Sequence, residues 1–195
     1  MKNFLHVGCG PQTKSNLKGF NDWNEVRFDI DPKVNPDFVG SLTDMSAVDD
    51  KSVDALYSSH NIEHLFPHEV PIAAGEFFRV LKDDGFLVIT CPDLESVAKE
   101  VASGKLLEPL YESNAGPISA LDILYGHRGF IASGNVYMAH KSGFTFPVLS
   151  GVFRQAGFKT TFGAAIPDQY AIWMICLKGE ISEEKLDEIA SQFLP

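Results

Sequence analysis

Three features of the sequence predict an α/β fold: a doubly wound, mostly parallel sheet of seven strands whose last strand runs antiparallel. Short apolar runs alternate with amphipathic helical patterns, the signature of strand–crossover–strand units. The first run leads directly into the turn Gly8-Cys9-Gly10-Pro11, where glycines let the backbone turn sharply and present peptide N–H groups to a ligand. The last two runs are joined by only about seven residues, whereas a parallel crossover takes a dozen or more, so they should pair antiparallel.

Taken in order, the first strand covers 4–7. Residues 12–25 are polar and broken by Gly19, Asn21 and Asp22, which predicts a short or irregular crossover. The second strand covers 26–30, ends at Asp29 and Asp31, and is stopped by Pro32. Asp29 lies 19 residues beyond Gly10 (29 − 10), close to the ~20-residue offset at which α/β dinucleotide folds place a carboxylate on a ribose hydroxyl. A short third strand is expected at 38–40 and a fourth, apolar enough to be central, at 53–58. A helix over 67–81 places Val70, Ala74, Phe77, Phe78 and Leu81 on one face, with Pro67 and Pro71 tolerated near its start.

The fifth strand, 86–91, is ended by Pro92, and Asp93 caps a helix over 94–103 that Gly104 stops. Residues 105–146 leave the alternation. They hold one predicted helix, 117–125, then a stretch rich in Gly, Ser, His and aromatics, the composition of a lid or binding loop. A helix over 147–156, strands at 158–162 and 170–177, and a helix begun by Ser182 complete the chain. In that last helix Leu186, Ile189, Ala190 and Phe193 form an apolar stripe, with Ile181 on Leu186 as a hydrophobic staple. One domain spanning 1–195 is expected.

The net charge of −10 and the absence of any Lys/Arg run argue against nucleic-acid or anionic-membrane partners. No apolar run approaches the ~20 residues that span a bilayer, and the N-terminus lacks the apolar segment of a signal peptide. Cys9, Cys91 and Cys176 are far apart and sit in or beside strands, which predicts free thiols in a reduced, cytoplasmic protein.

The segments LHVGCGP, RFDIDP, VDALYSSHNIEHL and EFFRVLKDDGFLVITCPD, in that order, resemble class I S-adenosylmethionine-dependent methyltransferases of Rossmann-like fold. The nearest likeness is to small predicted methyltransferases whose first loop reads GCGP and whose second strand ends in DID-P; some relatives are thought to act on sugars or surface polysaccharides. The resemblance implies S-adenosyl-L-methionine as cofactor and a small-molecule acceptor, a sugar or polysaccharide precursor being one option, with the chain a monomer or homodimer. It implies that Gly8 and Gly10, flanked by His6 and Cys9, pass beneath the methionine part. Asp29, beside Ile30, would take the ribose hydroxyls; Asp44 and Met45 would meet the adenine, with Leu42 and Thr43 as alternatives. Ser59 and His60 would lie near the sulfonium and the acceptor. Two positions depart from the family pattern: the acid that often opens the first motif is His6, and the third glycine is Gln12.

In such a site the protein positions the reactants, excludes water and removes a proton where one must go. A neutral imidazole suits that last task. His60, His64, His127 and His140 are candidates, with His60 and His140 ranked first. Tyr111, Tyr125, Phe130 and Tyr137 could wall an acceptor pocket, and Arg128 could meet an anionic acceptor. Three rival readings exist. His60 to His64 spell H-x-x-E-H, a zinc-peptidase motif, though its place directly after a strand favours a metal-free reading. A non-catalytic cofactor-binding accessory protein would need only the glycine turn and Asp29. A nicotinamide-dependent oxidoreductase would need glycine where Thr13 stands.

Overall fold

The computed structural model describes residues 1–195. Strands β1 (Asn3–Val7), β2 (Asn24–Asp29), β3 (Phe38–Val39), β4 (Val53–Ser59), β5 (Leu81–Pro92), β8 (Thr160–Ile166) and β9 (Ala171–Leu177) form one sheet in the order β3-β2-β1-β4-β5-β9-β8. The β2–β3, β1–β2, β1–β4 and β4–β5 pairs are parallel, and β9 runs antiparallel to both β5 and β8. A separate hairpin, β6 (Pro109–Ser113) with β7 (Gly116–Ser119), lies outside the sheet. The helices are α1 (Val70–Val80), α2 (Leu94–Ala102), α3 (Ala120–Tyr125), α4 (Arg128–Ala132), α5 (Phe146–Gln155) and α6 (Glu183–Phe193).

Alternation along the strands sends side chains to two cores. Leu5, Val7, Leu56, Leu87, Ile89, Met174 and Cys176 join Phe77 of α1 and Phe153 of α5 on one face. Phe4, Ala55, Tyr57, Phe86, Val88 and Ile175 face the other way, toward Phe20, Trp23 and Phe193. The irregular crossover expected at 12–25 is observed: its only helical piece is the single 3-10 turn Lys14–Asn16. The sheet face it leaves thinly covered is closed by α6, whose Phe193 ring centroid lies 4.8 Å from both Phe20 and Phe86 and 6.0 Å from Trp23.

Three expectations need correction. The helix predicted over 117–125 begins only at Ala120, because Ser119 and Asp122 form a reciprocal capping box there, and the preceding residues pair as β7. The strand predicted at 158–162 runs from Thr160 to Ile166. It passes through Gly163 because β9 approaches so closely that a Cβ at 163 would stand 2.0 Å from the Trp173 carbonyl oxygen. The helix predicted from 67 starts at Val70, and Leu81 belongs to β5, paired with Val53.

The parallel strands β1, β2 and β4 all end on the same edge, at Val7, Asp29 and Ser59. That edge is where ligands collect in open α/β sheets.

Candidate functional site

The glycine turn leaves β1 with Gly8 at φ +58° and Gly10 at φ +52°, both in the left-handed region that only glycine enters without cost. The two glycines do different jobs. A Cβ on Gly8 would stand 1.9 Å from Asn61 Oδ1, whereas one on Gly10 would meet nothing within 4 Å. Gly8 therefore makes room for Asn61, whose Nδ2 donates to the Val7 carbonyl at 2.9 Å, and Gly10 presents its bare face to open space. Asn61 is a loop-holding residue that glycine spacing could not reveal.

Side chains from β2 hold the turn from the other side. Asp29 Oδ2 accepts the Gly10 N–H at 2.8 Å, Asp29 Oδ1 accepts the Asp31 N–H at 2.9 Å, and Arg27 Nη2 donates to the Gly10 carbonyl at 2.5 Å. Each Asp29 oxygen keeps a lone pair for a further donor. Ile30, next to it, is half exposed. The Cys9 thiol is buried, and burial pushes it up to about 11, so it is a neutral packing group at pH 7 rather than a nucleophile.

His6 is withdrawn from this edge. Its side chain is buried beside Phe4 and Tyr57, on the face covered by α6. Its Nδ1 lies 2.8 Å from Glu25 Oε1, while Glu25 Oε2 accepts the Lys14 N–H at 3.0 Å. Burial lowers the His6 pKa and outweighs the attraction of Glu25. The expectation that His6 reaches the cofactor is thus corrected to a supporting place beneath the loop.

Farther along the edge, Asp44 is exposed, and its carboxylate accepts the Ser46 N–H at 3.2 Å. Met45 also needs correction, because its side chain is wholly buried in the main core. Its backbone shows why. The Met45 N–H donates to Glu76 Oε2 at 2.7 Å and its carbonyl accepts from Arg79 Nη2 at 2.8 Å, which ties the 43–50 loop to α1. An open depression there is lined by Thr43, Asp44, Ser46, Asp50, Glu76 and Arg79.

Ser59 ends β4, and His60 follows at φ +54° with its N–H on the Thr90 carbonyl at 2.9 Å. The His60 ring is about half exposed, and its Nδ1 lies 3.3 Å from Glu63 Oε1. Residues Ile62–His64 form one 3-10 turn that buries Glu63 to 1 % exposure. The segment after α4 closes back on this turn, since the Lys141 and Ser142 N–H groups both donate to the Glu63 carbonyl, at 2.8 and 3.1 Å. Glu63, His64 and His140 consequently converge, with ligand atoms all within 4.8 Å of one another. The two imidazole rings meet edge to face at 4.8 Å. Burial lowers the His140 pKa, which favours the uncharged ring. At His60 burial also lowers it, but the Glu63 carboxylate outweighs burial and the net direction is up.

Other candidates stand apart. His127 accepts the Phe130 N–H at 3.2 Å and caps α4. The Arg128 guanidinium is bound to Asp122, 2.7 Å from Nε to Oδ1, so it is not free for an anionic acceptor. Tyr111 stacks on Tyr170 with centroids 6.2 Å apart, while Tyr125, Phe130 and Tyr137 are exposed.

Comparison with known proteins agrees with this layout. Residues 5–89 match the family described as a methyltransferase domain. No curated protein sequence matches the chain. Among solved structures, a protein of Pyrococcus horikoshii OT3 is 16 % identical, with a TM-score of 0.62 over 90 % of this chain and 81 % of its own. An S-adenosylmethionine-dependent methyltransferase of Archaeoglobus fulgidus is 15 % identical, with a TM-score of 0.59 over 90 % of this chain and 85 % of its own. The Haloferax volcanii protein seen in complex with the Trm112 methyltransferase activator is 13 % identical, with a TM-score of 0.58 over 93 % and 84 %. The match over 5–89 and the shared fold support a class I S-adenosylmethionine-dependent methyltransferase, and S-adenosylmethionine is the cofactor they imply. No helix is long and apolar enough to cross a membrane.

Proposed function

We propose that the chain is an active enzyme that methylates a small-molecule acceptor, and that residues 105–146 form its acceptor-side lid on a single domain. The observation that carries the reading is the glycine turn itself. Gly10 shows an open face to the strand edge while Asp29, Arg27 and Asn61 hold its backbone rigid, and a pre-formed cradle that a Cβ would fill fits a cofactor's approach. When bound, S-adenosylmethionine supplies the activated methyl group.

The chain's own residues do the rest. Gly8, Cys9 and Gly10 hold the methionine part, Asp29 accepts the ribose hydroxyls with its spare lone pairs, and Ile30 offers apolar surface to the adenine. Asp44 is aimed outward for the exocyclic amine, whereas Met45 contributes only through its backbone position. Glu25, engaged by His6 and the Lys14 N–H, braces the loop from beneath. Ser59 and His60 border the acceptor, and His60 or His140 takes the acceptor's proton; each has an imidazole nitrogen suited to it near neutral pH. A hydroxyl-bearing acceptor, such as a sugar precursor, fits an imidazole base. Three buried free cysteines suit a reducing compartment such as the cytoplasm.

Calorimetry with S-adenosylmethionine, its demethylated product and NAD tests the reading. The first two should bind and NAD should not. Asp29→Ala should weaken binding by about 1–3 kcal/mol through loss of a charged acceptor, with some loss of stability because Gly10 and Asp31 lose their partner. Tight NAD binding, or affinity indifferent to Asp29→Ala, would overturn it.

A further inference from the structure

We propose that Glu63, His64 and His140 form a binding site for one divalent first-row transition cation, such as Zn²⁺, Co²⁺ or Mn²⁺, with His60 beside it. Four observations converge on this site. The ligand atoms of the three residues lie within 4.8 Å of one another, so small side-chain rotations bring them to the ~2.0–2.2 Å bonds of such a cation. Both imidazoles are oriented as metal ligands are. His64 Nδ1 faces the Ala139 carbonyl at 3.2 Å and His140 Nδ1 faces the Ile123 carbonyl at 2.7 Å. A carbonyl only accepts, so Nδ1 carries the hydrogen in each ring and Nε2 is left with its lone pair free. Backbone carbonyls holding the far nitrogen are the usual outer support of a histidine ligand.

The third observation is Glu63. Its side chain is 1 % exposed, and neither carboxylate oxygen makes a well-formed hydrogen bond; the one charged group against it is His60, with Nδ1 3.3 Å from Oε1. A buried carboxylate held only by one long contact to a half-exposed imidazole is poorly compensated, and no lysine or arginine is paired with it. Asp93, the other buried carboxylate of this region, is fully used in capping α2 through the Glu95 and Ser96 N–H groups. A cation would satisfy Glu63 in full. Fourth, a small cavity opens beside Glu63 and His140, lined also by Pro92, Ile123 and Ser142.

The donor set selects the ion class. Two imidazoles and one carboxylate favour first-row transition cations over Mg²⁺ or Ca²⁺, which prefer all-oxygen shells. Three protein ligands leave coordination positions open for water or for an acceptor hydroxyl, whose acidity the cation would raise. That role rests on the methyltransferase reading, while the cation site itself does not. That site places the motif H-x-x-E-H, joined by His140 from the lid, at an acceptor-side metal centre rather than a peptidase site.

The test is titration of chelator-treated full-length protein with Co²⁺, read by its visible absorption, and with Zn²⁺ by calorimetry. One equivalent is expected, with affinity falling at least tenfold in Glu63→Gln and in His140→Ala but unchanged in His127→Ala. Should those variants unfold by circular dichroism, Mn²⁺ added to the wild type should broaden the imidazole NMR signals of His64 and His140 and spare those of His68 and His127. No stoichiometric binding, binding indifferent to both substitutions, or uniform broadening of all histidines would overturn the proposal. Calorimetry with the demethylated cofactor product, run with and without the metal, separates the two readings: cofactor binding can fail while the cation still binds, and the reverse.

Discussion

Replacing Gly8 by alanine should damage stability, and replacing Gly10 should damage ligand binding. Both sit near φ +55°, at +58° and +52°, so either alanine carries the left-handed penalty of about 1–2 kcal/mol. Only Gly8→Ala adds a collision, because its Cβ would stand 1.9 Å from Asn61 Oδ1. Asn61 must then leave, giving up its bond to the Val7 carbonyl, a further ~0.5–1.5 kcal/mol. The expected losses are about 1.5–3.5 kcal/mol for Gly8→Ala and about 1–2 kcal/mol for Gly10→Ala. Urea denaturation at fixed m-value measures both.

The double variant Gly8→Ala/Asn61→Ala sharpens the test. With Asn61 shortened the collision is gone, so the double variant should be more stable than the sum of the singles by about 1 kcal/mol, a coupling of the size contacting residues show. Affinity for the demethylated cofactor product should follow the opposite order, with Gly10→Ala the weaker binder because its methyl fills the open face. Equal stabilities for the two alanine variants together with additivity in the double variant would refute the division of labour between the glycines.

Phe193→Ala should cost about 3–5 kcal/mol, because its ring is packed among Phe20, Trp23 and Phe86; a loss under about 1 kcal/mol in denaturant would show that α6 is not part of this core. Asp122→Asn should cost about 1–3 kcal/mol at neutral pH, toward the lower end because the Arg128 guanidinium is half exposed and screened. Burial would raise the Asp122 carboxyl, but hydrogen bonds from Arg128 and Ser119 overcome it and hold it well below the ordinary range. With a depressed folded pKa, that stabilisation is complete above the unfolded value of about 3.9 and is lost as pH falls toward the folded value. The gap between wild type and Asp122→Asn should therefore be constant from pH 7 to about 5 and shrink below about 4, and a gap that widens in acid would contradict the assignment.

Much of the fold was legible because its strands are buried on both faces and read as continuous apolar runs, as in residues 53–58 and 86–91. The hairpin of β6 and β7 was not, since most of its residues are exposed and its pairing is local, closed by Gly116 at φ +97°, with no apolar alternation to mark it. β8 extends past residue 162 although Gly163, Ala164 and Ala165 have poor strand propensity, because pairing with β9 overrides it. In the site, the glycine turn and Asp29 were visible as a spacing. The meeting of His64 with His140 was not, because the two lie on segments whose approach is set by backbone bonds from Lys141 and Ser142 to Glu63. Glu76 and Arg79 were hidden for a different reason: they stand on the polar side of an amphipathic helix, and besides each other they bind the backbone of Met45 and Val48 and the Asp50 carboxylate, partners on another loop that no spacing reveals.

The irregular first crossover also bears on which ligand the edge can take. Dinucleotide folds seat a pyrophosphate at a helix N-terminus that directly follows the glycine turn, where free N–H groups and the helix dipole attract negative charge. Here the turn is followed by a single 3-10 turn, Lys14–Asn16, and then by Phe20 and Trp23, which serve as sheet cover. No α-helix begins between the turn and β2. The loop's rigidity comes instead from side chains: Arg27 on the Gly10 carbonyl, Asp29 on the Gly10 N–H, Asn61 on the Val7 carbonyl and Glu25 between His6 and the Lys14 N–H. Without a helix dipole at the turn little is left there to hold a pyrophosphate, whereas Asp29 suits a ligand bearing ribose hydroxyls. S-adenosylmethionine has no phosphate and carries a sulfonium and an ammonium, so the substitution of side-chain clamps for a helix dipole favours it over NAD on electrostatic grounds, independently of Thr13.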